Sequence, residues 1–266
     1  MAEDNKTAGV APRPPAMPKV NEIRIADLAE VLRKGLSDFA RAPLFGLFFG
    51  GVYALGGIII ALSLTVWDIS WMIYPVAIGF PLIGPFVAVG LYEVSRRLET
   101  GKPLVWREIL GAVWLQRQRE LAWMAFVMLF VFWVWMYQVR LLVAIILARS
   151  SFSTLDRFME VVFTTSQGWT FLAVGHVVGA ILAIILFSIT VISIPLLLDR
   201  EADFVTAMIT SVKTVTSNPV PMVGWGIFVT LAVIVSSVPM FLGLVVTLPV
   251  LGHATWHLYK KAVAAP

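Results

Sequence analysis

Six long apolar stretches dominate the sequence and constrain its fold. They span residues 44–66, 71–92, 121–147, 169–198, 220–237 and 239–258, and the only Lys, Arg, Asp or Glu within them is Arg140. A helix that crosses a bilayer needs about 20 mostly apolar residues, so each stretch is long enough for one crossing. The pattern predicts an all-α membrane protein with six transmembrane helices.

The composition agrees with this prediction. Hydrophobic residues make up 59% of the chain and charged residues 14%, whereas soluble domains contain about 25% charged residues. A water-soluble fold could not bury so much apolar side chain, so the excess must face lipid. The chain contains no cysteine, which excludes disulfides, thiolate metal ligands and cysteine nucleophiles.

The two ends of the chain have their own signals. Residues 1–19 are rich in Pro and Ala and lack the apolar core of a signal peptide, which indicates a disordered cytoplasmic tail before a transmembrane domain at 20–261. The last two apolar stretches adjoin at Pro239, which favours a turn between two spans. A single re-entrant hairpin is the alternative.

The placement of Lys and Arg predicts the orientation. Seventeen of the 20 Lys and Arg residues flank the predicted spans on the side of the N-terminus, and the other three are Arg140, Arg149 and Arg157. Because positive residues concentrate in cytoplasmic loops, we predict a multi-pass protein of a bacterial inner membrane with both termini in the cytoplasm.

Three segments before the odd-numbered spans share an amphipathic pattern. They are "ADLAEVLRKGLSDFARAP" (26–43), "VWREILGAVWLQRQRE" (105–120) and "ADFVTAMITSVKTVTSNP" (202–219). Apolar residues recur in each at helical spacing, with Leu28, Leu32, Leu36 and Phe39 in the first. We predict three interfacial helices on the cytoplasmic surface, where they could bind anionic lipids.

The even-numbered spans also resemble one another. They align on Pro81, Pro195 and Pro249, and Gly84 and Gly252 follow the first and third of these prolines by three residues. The chain therefore divides into three copies of an amphipathic helix plus a helical hairpin, at about 20–99, 100–199 and 200–261. Such a repeat predicts a pseudo-symmetric bundle.

Small residues at intervals of four indicate close helix contacts. The three stripes are Gly46, Gly50 and Ala54; Gly84 and Ala88; and Gly175, Gly179 and Ala183. Burial inside the monomer is favoured over an interface in a homo-oligomer.

His253 and His257 are the most conspicuous candidate ligands. They lie four residues apart on one predicted helix face, a geometry that can chelate a metal. No Cys exists and no Asp or Glu lies nearby in sequence to complete a ligand set. The favoured interpretation is an interfacial aromatic belt of Trp256, His257 and Tyr259 beneath snorkelling lysines. A metal or haem site, pH sensing and packing hydrogen bonds are the alternatives, so neither metal nor cofactor is expected.

Three further polar residues lie in or beside predicted spans. Arg140 lies about 28 Å along a helix that starts at Leu121, so it is expected to snorkel to the outer headgroups. Glu93 is expected to pair with Arg96 or Arg97 at the cytoplasmic interface. His176 is expected to bond a neighbouring helix. No carboxylate is expected inside the spans, which argues against a proton-coupled pump.

Three strings resemble a proteobacterial family of predicted integral inner-membrane proteins of unknown function. They are "FARAPLFGLFFGGVYALGG", "GFPLIGPFVAVGLYEVSRRLETGKPL" and "LPVLGHATWHLYKK", and the resemblance covers about residues 20–261. It implies a six-span inner-membrane domain and, for some relatives, an association with cytochrome c oxidase. Three histidines are too few for the haem–copper catalytic subunit, which leaves an accessory role.

No pattern in the sequence indicates an enzyme. It lacks a P-loop, a G-x-S-x-G, an H-E-x-x-H and a D-x-D cluster, and nucleic acid is an improbable partner for a six-span protein. We predict a non-enzymatic accessory or scaffolding component of a larger membrane complex. The alternatives are a transporter or channel for a lipid-like or apolar solute and, third, a haem or metal protein.

Overall fold

The computed structural model describes residues 17–66, 73–116, 120–148 and 155–265, and the regular structure within these ranges is helical. Arg140 and most of the predicted elements fall inside them; most of the predicted N-terminal tail lies outside. The helices are α1 (Ile25–Arg41), α2 (Pro43–Thr65), α3 (Ile73–Thr100), α4 (Trp106–Gln116), α5 (Glu120–Ile146), α6 (Leu155–Thr164), α7 (Ser166–Thr190), α8 (Ser193–Asp199), α9 (Phe204–Ser217), α10 (Pro219–Ser237) and α11 (Leu244–Ala262).

Four segments among the described residues are long and apolar enough to cross a membrane. They are Pro43–Ser63 of α2, Glu120–Ile146 of α5, Ser166–Asp199 of α7 and α8, and Pro219–Ser237 of α10. The remaining two predicted spans correspond to α3 and α11. Two histidines and two lysines reduce the apolar character of α11, and the side chains at 73–83 of α3 lie outside the described residues.

A tight turn joins α10 to α11, as the proline at position 239 predicts. Met240 and Phe241 adopt positive φ angles of 50° and 64°. Such angles are uncommon for residues other than glycine and are typical of tight turns. The Phe241 ring lies against Gly57, where an added Cβ would come within 2.4 Å of it. The last two apolar stretches are therefore separate antiparallel helices.

Helix α1 packs along α11, a contact that the interfacial prediction for this segment did not include. Val31, Gly35 and Asp38 are buried on one face of α1, and Leu28 and Leu32 pack against the main buried cluster. Gly35 permits the close approach, because a Cβ there would lie 2.6 Å from backbone atoms of α11. Leu28 and Leu32 of the apolar stripe thus face protein, whereas Leu36 is exposed.

Helix α9 is also packed against neighbouring helices, and α4 contacts them through Trp106 and Ile109. The buried face of α9 contains Ala207, Ser211, Thr214 and Val215, while Val205 and Ile209 of the same helix are exposed. Among the described residues of α4, Ile109 is fully buried, and Leu110, Trp114 and Leu115 are exposed. Helix α4 therefore has an exposed apolar face of the kind that an interfacial helix requires.

The segment before α1 and the end of α11 pair with each other. Val20 and Val263 form an antiparallel bridge, the Asn21 amide donates to the Ala262 carbonyl at 2.8 Å, and the Ala264 amide donates to the Lys19 carbonyl at 2.9 Å. Asn218, buried at the start of α10, accepts from the Ile23 amide at 2.8 Å. The two described ends of the chain therefore lie on the same side of the molecule.

Two of the three small-residue stripes face the interior, in agreement with the favoured prediction. Added Cβ atoms at Gly46 and Gly50 would meet Pro249 of α11 at 3.3 and 2.8 Å, and one at Gly84 would meet the Tyr53 hydroxyl at 3.0 Å. Glycine here lets α2 and α3 approach their neighbours. The third stripe, on α7, lines an open groove instead.

Candidate functional site

A buried polar cluster joins α1, α3 and α11 near the end of the bundle where the two ends of the chain pair. The His257 Nε2 donates to Asp38 Oδ2 at 2.7 Å, and the Ser95 Oγ lies 2.7 Å from His253 Nδ1. Ser95 is also hydrogen-bonded to Asp38. Asp38, Ser95 and His253 are almost fully buried. We call these four residues the Asp38 cluster.

Hydrogen bonds favour the ionised form of Asp38 in this cluster. Burial by itself would raise the pKa of Asp38, but hydrogen bonds from His257 and Ser95 outweigh it, and the pKa of the carboxyl lies below its usual value. An ionised Asp38 accepts the Ser95 proton, so Ser95 in turn accepts from His253 Nδ1. The Nε2 atom of His253 then carries no proton and can only accept a hydrogen bond. It is buried and has no hydrogen-bond partner among the described residues.

The cluster changes the interpretation of both candidate histidines. Packing hydrogen bonds were one of the alternatives at these positions, and the structure places both histidines in such bonds. It also reveals two buried carboxylates, Asp38 and Glu93, both of which lie just outside the predicted spans 44–66 and 71–92. The described His, Asp and Glu side chains contain no group of three that could hold one metal ion.

The predicted aromatic belt around His257 is wrong. Trp256 and Tyr259 are fully buried and pack in the main apolar cluster. Their polar atoms find protein partners, because Trp256 Nε1 donates to Glu99 at 3.3 Å and the Tyr259 hydroxyl donates to Asp199 at 2.7 Å. Packing of α3, α8 and α1 around the end of α11 shields these rings from lipid.

Ion pairs surround the Asp38 cluster on the exposed side. Lys261 Nζ lies 2.6 Å from both Asp27 and Glu30 of α1. Hydrogen bonds from Lys261 lower the pKa of Asp27, and the pKa of Glu30 falls to about 2 because Lys261 and Lys34 both donate to it. Because these side chains are partly exposed, the ion pairs contribute little to the stability of the protein. They do connect defined positions of α1 and α11.

Glu93 forms the ion pairs that its spacing predicts. Its carboxylate is buried, with Arg96 Nη2 at 2.6 Å and Arg97 Nε at 2.7 Å. Arg97 also contacts Glu108 of α4 and donates to the Pro103 carbonyl. The prediction of an i, i+3 and i, i+4 pair is confirmed, and the same arginine connects α3 to α4.

The repeated prolines and glycines act in packing. Pro249 lies inside α11, which continues through it, and its ring packs against Gly46 and Gly50 of α2. Gly84 and Gly252 line a small cavity of about 160 Å³ between α2, α3, α10 and α11. The α3 backbone is helical at Pro81, whose side chain lies outside the described residues.

A larger groove lies between two candidate spans, α5 and α7. Its volume is about 660 Å³, and its lining is almost entirely apolar. His176 lies in this groove, where its Nδ1 donates to the Leu172 carbonyl of its own helix at 2.7 Å. The expected bond to a neighbouring helix is therefore wrong, because a carbonyl one turn earlier satisfies Nδ1. The lining of the groove includes Met128, Phe132, Trp135, Gly175, His176 and Gly179.

Arg140 lies on α5 and is exposed. Its position, 20 residues after the start of α5, corresponds to about 30 Å along the helix axis. The exposure of Arg140 is compatible with snorkelling of its side chain to the headgroups, which stays a prediction.

Sequence reasoning missed Asp38 and Ser95. The signal at Asp38 was its spacing, because Val31, Gly35 and Asp38 follow one another at four and three residues and so share a helix face. A carboxylate on the face that carries the buried residues needs a partner. No comparable signal identified Ser95, which lies between Glu93 and Arg96 on a helix end.

Comparison with known proteins finds a similarity for the central part of the chain. No curated protein and no solved structure matches the chain. Residues 73–199, from the start of α3 to the end of α8, match the family model described as "Predicted integral membrane protein (DUF2189)". Together with the four apolar helices, this match identifies the chain as an integral membrane protein.

Proposed function

We propose that the chain is a six-span protein of a bacterial inner membrane with both termini in the cytoplasm. The order of the helices supports a threefold repeat, since α1, α4 and α9 each precede two long helical segments. The distribution of Lys and Arg supports the orientation. Pairing of residues 19–21 with 262–264 is consistent with it, because it brings both described ends to one side.

In this membrane the protein acts as a non-enzymatic accessory or scaffolding component of a larger complex, with respiratory complexes as the class that the sequence resemblance suggests. The supporting observation is an aromatic stripe on α5, formed by Phe126, Phe130, Trp133 and Tyr137. Each of these side chains is more than half exposed. They are spaced by four, three and four residues, so they share one helix face.

The position of the stripe favours a protein partner. Trp and Tyr facing lipid concentrate at the two membrane interfaces, but Phe130 and Trp133 lie in the middle of the 27-residue helix α5. Large rings give helices extensive van der Waals contact in a bilayer, where no hydrophobic effect drives helices together. We propose that a transmembrane helix of another protein covers this stripe.

Purification from native membranes in mild detergent tests this function. We expect the wild-type chain to co-purify with a stoichiometric membrane protein, identified by mass spectrometry. Replacing Phe130 and Trp133 by Ala should reduce recovery of that partner about tenfold or more, since each ring contributes about 1 kcal/mol beyond its buried area.

A matched control uses exposed aliphatic residues of α10. Ile227 and Leu231 are 56% and 57% exposed, and their replacement by Ala should leave the partner bound. A wild-type protein that purifies alone, or only as a homo-oligomer, would contradict the accessory role.

The helix α4 supports a further contact, with anionic lipid headgroups. Its exposed residues Leu110, Trp114 and Leu115 lie just before α5, a candidate span that begins at Glu120. A helix so close to a membrane entry point lies at the interface, and the nearby Arg107 and Lys102 would face the headgroups.

The groove between α5 and α7 favours a second candidate function, passage of a lipid-like or apolar solute. Its volume of about 660 Å³ falls in the range of known ligand pockets. Reconstitution into liposomes tests this function: a fluorescent phospholipid should exchange between leaflets several times faster than in protein-free liposomes. Replacing Gly179 by Phe should abolish the increase, and an unchanged exchange rate in wild-type liposomes would contradict the function.

A further inference from the structure

We infer that the groove between α5 and α7 binds an apolar, lipid-like molecule that carries a hydroxyl group, and that His176 recognises this group. The inference rests on the second candidate function, whose groove it uses, and it adds the class of ligand. Three observations carry it: the tautomer of His176, its depth in α7 and the remaining polar atom of the groove.

The tautomer of His176 follows from its hydrogen bond. A carbonyl oxygen only accepts, so Nδ1 carries the proton that it donates to Leu172 at 2.7 Å. In a neutral imidazole the other nitrogen, Nε2, is then an acceptor. Among the described residues, nothing donates to it. His176 therefore presents an unused acceptor to the groove, which it helps to line.

The depth of His176 makes this acceptor costly in an empty groove. His176 is ten residues after Ser166, where α7 begins, which corresponds to about 15 Å along the helix axis. Counted from Trp169, where the predicted span begins, the distance is about 10 Å, which lies well inside a hydrocarbon core of about 30 Å. Water and lipid headgroups are scarce at this depth, and an unpaired polar atom there is unfavourable. The molecule that fills the groove is the best source of a donor.

The groove also offers one donor. Trp135 lines it, and its ring Nε1 lies 4.0 Å from the position that a Cβ of Gly179 would take. A hydroxyl group both donates and accepts, so it complements a groove that contains one acceptor and one donor. No charged side chain is among the lining residues, which disfavours a ligand whose carboxylate or ammonium group would enter the groove.

The shape of the groove suits a chain or ring of hydrocarbon. Gly175 and Gly179 leave space on the α7 side: an added Cβ would have its nearest neighbours at 3.8 Å, in Leu142, and at 4.0 Å, in Trp135. Met128 and Phe132 supply apolar surface from α5. The hydrocarbon part of the ligand would lie against these residues, with its hydroxyl group at His176.

Photo-crosslinking in liposomes tests the inference. Two probes are used: a long-chain fatty alcohol that carries a diazirine in its chain, and the same chain ending in a methyl group. We expect the alcohol to label peptides of α5 and α7 about three- to tenfold more than the hydrocarbon does, the increase that one hydrogen bond in a membrane provides. Equal labelling by the two probes would overturn the inference.

Variants of α7 locate the site. Replacing His176 by Phe keeps an aromatic ring but removes the acceptor, so labelling by the alcohol should fall to the level of the hydrocarbon. Replacing Gly179 by Phe fills the groove and should reduce labelling by both probes. The control is Val177→Phe, because Val177 is 61% exposed and absent from the groove lining; it should change neither. An unchanged preference in H176F or unchanged labelling in G179F would contradict the inference.

Binding and passage are distinguishable in the same liposomes. If the alcohol is bound through His176 but phospholipid exchange stays at the protein-free rate, the ligand class holds and the transport function fails. If exchange is fast but the two probes label equally, transport holds and the hydroxyl preference fails.

Discussion

Replacing Gly35 by Leu should destabilise the protein by about 3 kcal/mol, at the upper end of the usual cost of overpacking. A Cβ at this position would lie 2.6 Å from both the Ala254 backbone nitrogen and the Val250 carbonyl oxygen. These are backbone atoms of a helix, so they cannot rotate away as a side chain can. The two helices must separate, and α1 would lose the contacts that bury Val31 and Asp38.

Thermal unfolding in detergent and hydrogen exchange measure this effect. The midpoint should fall by several degrees, and the amides of 25–41 should lose protection because α1 detaches from α11. Gly111→Leu is the matched control, since Gly111 is also helical and nothing lies within 4 Å of an added Cβ. Its midpoint should stay the same or rise, because Leu favours helix more than Gly does. Equal midpoints for G35L and the wild type would contradict the packing described above.

Replacing Asp38 by Ala should cost about 3 kcal/mol, the lower end of the range for breaking a buried charged pair. The substitution leaves His257 and Ser95 without the acceptor that they share, and the vacated position is buried. Glu22→Ala, which removes an exposed carboxylate, should change the free energy of unfolding by less than about 0.5 kcal/mol.

A double-mutant cycle separates the pair from its surroundings. The changes in free energy for Asp38→Ala and His257→Ala should be non-additive by about 1 kcal/mol or more, because the two side chains are in direct contact. Additive changes would show that the bond between them contributes nothing to stability.

The pH dependence of stability follows from the same carboxyl group. Its pKa is lower in the folded state than its ordinary value, so its contribution is complete above the unfolded pKa of about 3.9 and is lost as the pH falls through the depressed folded pKa. Between about pH 5 and pH 3, the midpoint of the wild type should fall more steeply than that of D38N. Parallel curves for the two proteins would contradict a depressed pKa.

Local patterns predicted several features correctly. The apolar stretches predicted helices, and the positive φ angles at 240–241 confirm a reversal next to Pro239. Glu93 pairs with Arg96 and Arg97. These features depend on residues within one or two helical turns, where the spacing of the sequence determines which side chains can meet.

The Asp38 cluster could not be predicted in the same way. The sequence indicates no carboxylate partner for His253 and His257, because no Asp or Glu is nearby in the chain. The residue that accepts from His257 is 219 positions away. Similarly, the stripe on α1 is typical of an interfacial helix, and only the contact of α1 with α11 shows that Leu28 and Leu32 pack against protein.

The sequence by itself determined the helical class, the apolar segments and the turns between them, because hydrophobicity and helical periodicity are properties of neighbouring residues. The tertiary structure alone decided which faces meet. Glycines at 35, 46 and 50 allow α1 and α2 to approach α11, and the approach of α1 brings Asp38 to His257. Such contacts depend on how distant helices fit together, and apolar periodicity says only that a face will be covered, by protein or by lipid.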